Sequence, residues 1–346
     1  MPEAVARVGA KSRRNLKPKQ PRAGPKHERP LSYSANQRLT NSRGRRINCN
    51  PRQEHATIAA GKNFHAKSVI DKFGCKVAAI DPDGAAEIFA GISLEAGAAA
   101  MRIYAGESSA RSKADGSPVT AADEAAEAII LTRLAALFPD LPVLAEEAAS
   151  KGKIEIREPA FILVDPIDGT REFLSRNGEF TINIALVVDG TPGAGAVFAP
   201  ALGRLWFGGS GACACDALPG APLPPPSLRR AIFPRRAPSQ GLTAIVSRSH
   251  VHPATEAFLT SLPVKERRTA GSSLKFCVIA EGGADVYPRF GPTMEWDTAA
   301  GDAILRAAGG IVADPQGRPL RYGKSAEHFK NGPFIAWGDP AALHPM

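Results

Sequence analysis

Residues 161–180 read FILVDPIDGTREFLSRNGEF, an apolar run that ends in two aspartates, Asp165 and Asp168, with Pro166 between them and Gly169 just after. Two carboxylates this close repel one another unless something positive sits between them. Further acidic residues fall at predicted element boundaries: Asp123 where a helix begins, Glu146 and Glu147 at a strand end, and Asp297 at the start of a helix near the C-terminus. Strand ends and helix starts of an α/β fold converge on a cleft. Carboxylates gathered there without matching Lys or Arg call for cations. An all-oxygen set without His or Cys suits Mg²⁺ or a similar hard ion. Two such ions about 3.5–4 Å apart would clamp an in-line displacement at phosphorus. Taken singly, each carboxylate could be a helix cap or a solvated turn. Asp123 is the most open to that reading, and DPIDGT, after its apolar strand, the least.

The elements that must position these residues show in the hydrophobic pattern. Ile88, Ile92, Ala96, Ala99 and Ile103 recur at helical spacing, so order begins near residue 84. The stretch ESSARSKADGSPV reads as a loop, and a second helix runs from about Thr120 to Phe138, its acidic first turn suiting the positive end of the helix dipole. PVLAEEA and FILVDP read as buried strands. TINIALVVDGTPGAGAVFAP reads as two strands joined at Asp189-Gly190, a hairpin signal, and RLWFGG adds another. Residues 211–240, rich in Pro and Ala, read as a surface loop or linker. LTAIVSRSH opens a second αβ portion; the helix in WDTAAGDAILRAAGG closes at Gly309-Gly310, and GIVADPQGRPL and PFIAWG supply strands. Helices alternating with strands, hairpins mixed in, predict an α/β fold of mixed α+β layers. Its expected parts are a subdomain over 81–240 carrying most of the acidic set and a second over 241–346 carrying Asp297.

The chain has 346 residues and a formal net charge of +9. Residues 1–80 hold 18 Lys/Arg against 4 Asp/Glu, which leaves 25 and 30 for the rest, so the basicity belongs to a tail and the remainder is mildly acidic. The tail is Pro- and Asn-rich with little periodicity, and disorder is expected there. A nucleic-acid-binding arm, a transit peptide and an over-extended translation start all fit it, and the last is favoured. Five cysteines, Cys49, Cys75, Cys213, Cys215 and Cys277, fit neither a disulfide framework nor a zinc site, which suggests a reducing compartment. No apolar run reaches the roughly 18 residues needed to span a bilayer.

EE, DPIDGT and WDTAAG, with SPVTAAD ahead of them, resemble in order the signature of the lithium-sensitive inositol monophosphatase superfamily, over residues 84–346. The resemblance implies a layered αβαβα sandwich and metal-assisted hydrolysis of a phosphate monoester without a covalent phosphoenzyme. By that resemblance Glu146, Asp165, Asp168 and Asp297 match metal-binding carboxylates, and Ile167 matches a position that ligates through its backbone carbonyl. Two or three Mg²⁺ ions are implied. Asp123 and Thr170 match the pair that positions and activates the attacking water, and Glu147 would support a water beside the ions.

The flanking stretches KADGSPVTAAD, DGTREFLSRNGEFTINIAL, VSRSH and GSSLKFCVIAEGGADVYPRFGPTMEWDTAAG are similar to the bacterial CysQ-type 3′(2′),5′-bisphosphate nucleotidases. The implied substrate is 3′-phosphoadenosine 5′-phosphate, a by-product of sulfate assimilation, and the implied location is the cytoplasm, with weak attachment to the inner face of the membrane left open. A doubly phosphorylated ligand needs a second, cationic seat. Lys275, Arg289, Arg248 and His250, expected in loops near strand ends, could form it. The resemblance places Gly169, Thr170, His250, Ser272, Lys275 and Arg289 at substrate-contacting positions, with Arg171 a weaker candidate. An inositol-1-phosphatase of broad specificity remains an alternative. So does a nucleic-acid-binding protein acting through its tail, although the acidic folded part argues against nucleic acid as its partner.

Overall fold

The structure is a computed structural model, and it describes residues 68–70, 76–78, 81–106, 110–112, 118–150, 152, 156, 158–249 and 252–344. The expected disorder of residues 1–80 lies outside the described residues, apart from Ser68–Ile70, which pairs antiparallel with Lys76–Ala78. His250 lies outside them too.

Seven α-helices are described: α1 Pro82–Ala105, α2 Ala121–Leu137, α3 Glu146–Ser150, α4 Thr170–Leu174, α5 Pro253–Thr260, α6 Leu274–Ala280 and α7 Ala299–Ala308. Helix α1 starts with Pro82 at its first position and Asp81 as its cap, the Asp81 carboxylate accepting from Asp83 N at 3.1 Å. By length and composition alone α1 could cross a membrane, which the hydrophobic pattern did not suggest. Half of its most apolar stretch is buried within the protein, Phe89, Ile92 and Leu94 among the buried residues.

A seven-stranded sheet runs in near-sequential order from Arg230–Ala231 through Ala212–Asp216, Arg204–Gly208, Thr191–Ala199, Thr181–Val188 and Ala160–Asp168 to Val143–Ala145. All neighbours are antiparallel except the last pair. The Asp189-Gly190 hairpin is present, with both residues at positive φ. Side chains alternate across this sheet with period two. Ile162, Val164, Ile182, Ile184 and Phe198 pack under α1 and α2, while Phe161, Leu163, Ala185 and Val197 pack against α6 and α7.

A five-stranded sheet follows, ordered Val264–Ala270, Leu242–Ser247, Val286–Arg289, Phe334–Trp337, Ile311–Ala313. One face joins the same core as α6 and α7 through Ile245, Tyr287, Val312 and Ala336. The other, with Leu242, Val286, Ile335 and Trp337, packs Phe258 and Leu259 of α5. The layers are therefore α1/α2, sheet, α6/α7, sheet, α5, the expected αβαβα order. The change of sheet falls between the Arg230–Ala231 and Leu242–Ser247 strands.

Two stretches expected to be loops carry strands. Ala110–Ser112 pairs with Pro118–Thr120, and Ala212–Asp216, containing Cys213 and Cys215, is an inner strand of the large sheet. The small residues of ACACD mimic loop composition, yet they fit a crowded strand whose Ala214 and Cys215 are buried.

Helix α7 approaches the large sheet at Gly195, where an added Cβ would lie 2.7 Å from the Ala300 carbonyl oxygen. Gly195→Ala must push α7 outward, and a loss of about 1–3 kcal/mol is expected from such overpacking. A lower urea midpoint checks this; an unchanged midpoint would contradict the close approach.

Candidate active site

The Ala160–Asp168 strand is buried up to its last residue, and its pairing with Thr181–Val188 breaks register between Asp165 and Asp168. Asp165 faces Asn183 and Asp168 faces Thr181, so one extra residue is accommodated as a bulge. Pro166 suits a bulge because it has no N–H to place in the ladder. Residues three apart on a regular strand point to opposite faces. Here the bulge turns both carboxylates into one cavity of about 270 Å³.

Glu146, Ile167 and Asp297 line the same cavity. Glu146 opens the short helix α3 instead of ending a strand. Asp297 lies two residues ahead of α7, its carboxylate accepting from Met294 N at 2.8 Å. Burial, reinforced by Glu146, Asp168, Asp297 and Asp123, holds the Asp165 carboxyl well above the usual carboxylate range. Asp297 is raised in the same way by burial, Asp168 and Glu146. Asp168 is pushed up to about 6, chiefly by burial, although Lys275 pulls it down. Among the described residues, no three His, Cys, Asp or Glu side chains close around one point tightly enough to cage an ion as they stand. Glu146 is nonetheless near enough to raise Asp165, Asp168 and Asp297, and a buried oxygen-only set of this kind fits a hard divalent cation. Ile167 N donates to Asp165 Oδ1 at 3.1 Å, which ties this lining residue to the aspartate.

Asp123 sits behind this wall, almost fully buried at the start of α2. Its Oδ2 accepts from Thr120 N at 2.8 Å and from the Thr120 hydroxyl at 2.6 Å, a reciprocal cap that fixes the carboxylate. The Thr170 hydroxyl lies 3.5 Å from Asp123 Oδ1 and 3.5 Å from the Ile167 carbonyl. Glu147 is buried but does not line the cavity, and its N–H donates to Glu127 Oε2 at 2.9 Å.

Gly169, Thr170, Ser272, Lys275 and Arg289 also line the cavity. Lys275 is not in a loop: it lies in the first turn of α6, buried, with its ammonium donating to the carbonyls of Ser272 and Ala270 and lying 5.2 Å from the Tyr287 ring centroid. Burial pulls its pKa down to about 8 against the attraction of Asp168. Arg248 does not line the cavity; its guanidinium is forked onto Glu179 by two 2.8 Å bonds. Tyr287, Thr298, Ser247 and Glu172 line the cavity without having been singled out. Tyr287 shares a strand face with Arg289 two positions on, and Thr298 follows Asp297, so these two had a signal. Glu172 and Ser247 had none, because folding alone brings α4 beside the end of the Leu242–Ser247 strand.

The raised carboxylates oppose folding once they ionise. Asp168 ionises near 3.8 when unfolded and near 6 when folded, so without a cation its contribution to stability falls as pH rises through that window. Asp168→Asn removes this loss. In cation-free protein the variant should melt a few degrees above wild type at pH 7, at most about 3 kcal/mol, and the gap should close near pH 4. Added Mg²⁺ should raise the wild-type Tm more than the variant's. A variant that melts below wild type at pH 7 would contradict the cation assignment.

Residues 83–342 match the inositol monophosphatase family. The 3′(2′),5′-bisphosphate nucleotidase CysQ of Escherichia coli strain K12 is 42% identical over 245 residues, covering 70% of this chain and 95% of that relative. The protein of the same name from Buchnera aphidicola is 37% identical over 248 residues, 71% of this chain and 90% of its own. The crystal structure of CysQ from Bacteroides thetaiotaomicron, a bacterial member of the inositol monophosphatase family, superposes with a TM-score of 0.63 at 38% identity, over 74% of this chain and 97% of that one. An inositol monophosphatase from Anabaena shares the fold, with a TM-score of 0.57 at 24% identity over 76% of this chain and 97% of its own. With the layered αβαβα architecture and the acidic cavity at the bulge, the match over residues 83–342 places this chain in the inositol monophosphatase family.

Proposed function

We propose that this chain is a magnesium-dependent 3′(2′),5′-bisphosphate nucleotidase that converts 3′-phosphoadenosine 5′-phosphate into AMP and phosphate, serving sulfate assimilation. One observation carries the choice of a doubly charged substrate. The cavity that gathers Glu146, Asp165, Asp168 and Asp297 also receives Lys275 and Arg289, and Ser272 Oγ and Arg289 Nε are buried there without a hydrogen-bond partner. Buried donors of this kind call for an acceptor. The relatives named CysQ support the same reading.

Glu146, Asp165, Asp168, Asp297 and the Ile167 carbonyl would hold two or three Mg²⁺ ions. When bound, the ions supply charge neutralisation at the scissile phosphate and its departing oxygen. The chain's own residues do the rest. The Thr120 cap fixes Asp123 through Oδ2, and its Oδ1 lies 3.5 Å from the Thr170 hydroxyl. Asp123 would take the proton of the attacking water, with Thr170 orienting that water. Glu147, one residue beyond Glu146 and buried, would support the wall from behind. Ser272, Lys275 and Arg289 would seat the second phosphate, with Gly169 leaving room at the turn; His250 would join them. A cytoplasmic location fits the free thiols of Cys213, Cys215 and Cys277.

Phosphate release from the full chain tests this, with 3′-phosphoadenosine 5′-phosphate and inositol 1-phosphate each assayed with Mg²⁺ and with added Li⁺. A preference for the nucleotide of about tenfold or more in kcat/KM, blocked by Li⁺, is expected. Preference for the inositol ester would keep the cation site and overturn the substrate. Asp123→Asn should lower kcat by about 10²–10⁴ with an unchanged circular dichroism spectrum, and full activity would remove Asp123 from proton transfer.

A further inference from the structure

Glu179 contacts both turns that build the cavity, although it does not line it. Its carboxylate is fully engaged: Arg248 Nε donates to Oε2 and Arg248 Nη2 to Oε1, each at 2.8 Å, and Gly271 N donates to Oε2 at 2.7 Å. Its backbone is wedged as tightly. A Cβ on Gly169 would lie 3.3 Å from the Glu179 carbonyl oxygen, and a Cβ on Gly271 would lie 2.7 Å from it. Gly169 follows Asp168 at the carboxylate turn, and Gly271 precedes Ser272 and Lys275 at the cationic turn. Ser272 itself is held at φ 44, a left-handed conformation that a non-glycine residue adopts only under constraint. A second tie runs parallel: the Ser249 hydroxyl donates to Glu172 of α4.

We propose that Glu179, clamped by Arg248, is a positioning residue that sets the separation between the carboxylate turn and the Ser272–Lys275 turn, and so selects substrates carrying two phosphates. This rests on the nucleotidase reading above. The physical basis is rigidity. A bidentate guanidinium–carboxylate pair together with a backbone N–H leaves the Glu179 carboxylate no alternative geometry. The two glycines flanking its carbonyl let the turns approach to contact distance, and the bonds of the carboxylate to Arg248 and Gly271 hold that carbonyl in place. A substrate with one phosphate needs a single seat and is indifferent to that spacing, whereas a bisphosphate must meet both seats at once.

The test compares full-length wild type, Glu179→Ala, Glu179→Gln and Arg248→Ala with 3′-phosphoadenosine 5′-phosphate and with adenosine 3′-phosphate, which lacks the second phosphate. In Glu179→Ala and Arg248→Ala, KM for the bisphosphate should rise by about tenfold or more while its kcat stays within about threefold. The kcat/KM for adenosine 3′-phosphate should stay within about threefold, so the selectivity ratio collapses. Should Glu179→Ala fail to fold, Glu179→Gln keeps the shape and loses the charge, and it should show the same loss in smaller degree. An equal loss on both substrates, carried by kcat, would overturn the proposal, and so would an unchanged ratio in all variants. A wild type with no preference for the bisphosphate would overturn the nucleotidase reading and this proposal with it. Wild-type preference that survives in the variants overturns this proposal alone.

Discussion

Mutual repulsion among buried carboxylates is the constraint on which the rest of the site depends. Asp165, Asp168 and Asp297 are raised first by burial; Glu146 adds to all three, Asp168 to the other two and Asp297 to Asp165. No fold gathers such groups without cost, since an unpaired buried charge is strongly disfavoured. The surrounding architecture bears that cost. The Asp165–Asp168 strand lies in the middle layers, with α1 and α2 on one face and α6 and α7 on the other, and its apolar residues fill both cores. A strand so heavily packed can tolerate a bulge and an electrostatic conflict at its end.

The cationic side of the cavity is arranged with the same economy. Lys275 is presented by the first turn of α6, and the residue before that helix, Ser273, is tied into the large sheet. Its hydroxyl lies 2.8 Å from both Thr181 Oγ1 and Asn183 Oδ1. Thr181 and Asn183 are the partners of Asp168 and Asp165 across the bulge. One pair of buried polar side chains thus connects the register of the acidic strand to the start of the helix that carries the lysine. Asn183 Oδ1 accepts within this network, while its Nδ2 is buried without a hydrogen-bond partner. Further along, Glu295 accepts from the backbone of Gly323 and Lys324 and pairs with the Lys324 ammonium at 2.6 Å, which anchors the segment leading to Asp297.

The carboxylates that line the cavity were legible in the sequence because their signal lies in residue types and local spacing. The apolar run before DPIDGT, the acidic start of α2 and the Gly-Gly stop of α7 each follow from a short-range rule, and the structure agrees with each. Loop composition misled at Ala212–Asp216, where small residues are selected by crowding between strands. It misled again at Lys275, expected in a loop yet buried in a helix. Arg248 does follow the end of its strand as expected, but it is bound to a glutamate 69 positions away.

The sequence by itself determined which groups are available: carboxylate oxygens, a hydroxyl beside an aspartate, a lysine and an arginine, and the order of helices and strands that carries them. Hydrophobic period and turn chemistry act over a few residues, so one chain suffices to read them. Only the tertiary structure decided which cations face the cavity, that Asp165 and Asp168 share it despite odd spacing, and that Glu179 stands between the two turns. Each of these depends on a register shift or on a contact between residues far apart in the chain. No local pattern encodes such a contact, because its energy exists only once both sheets are packed on α6 and α7.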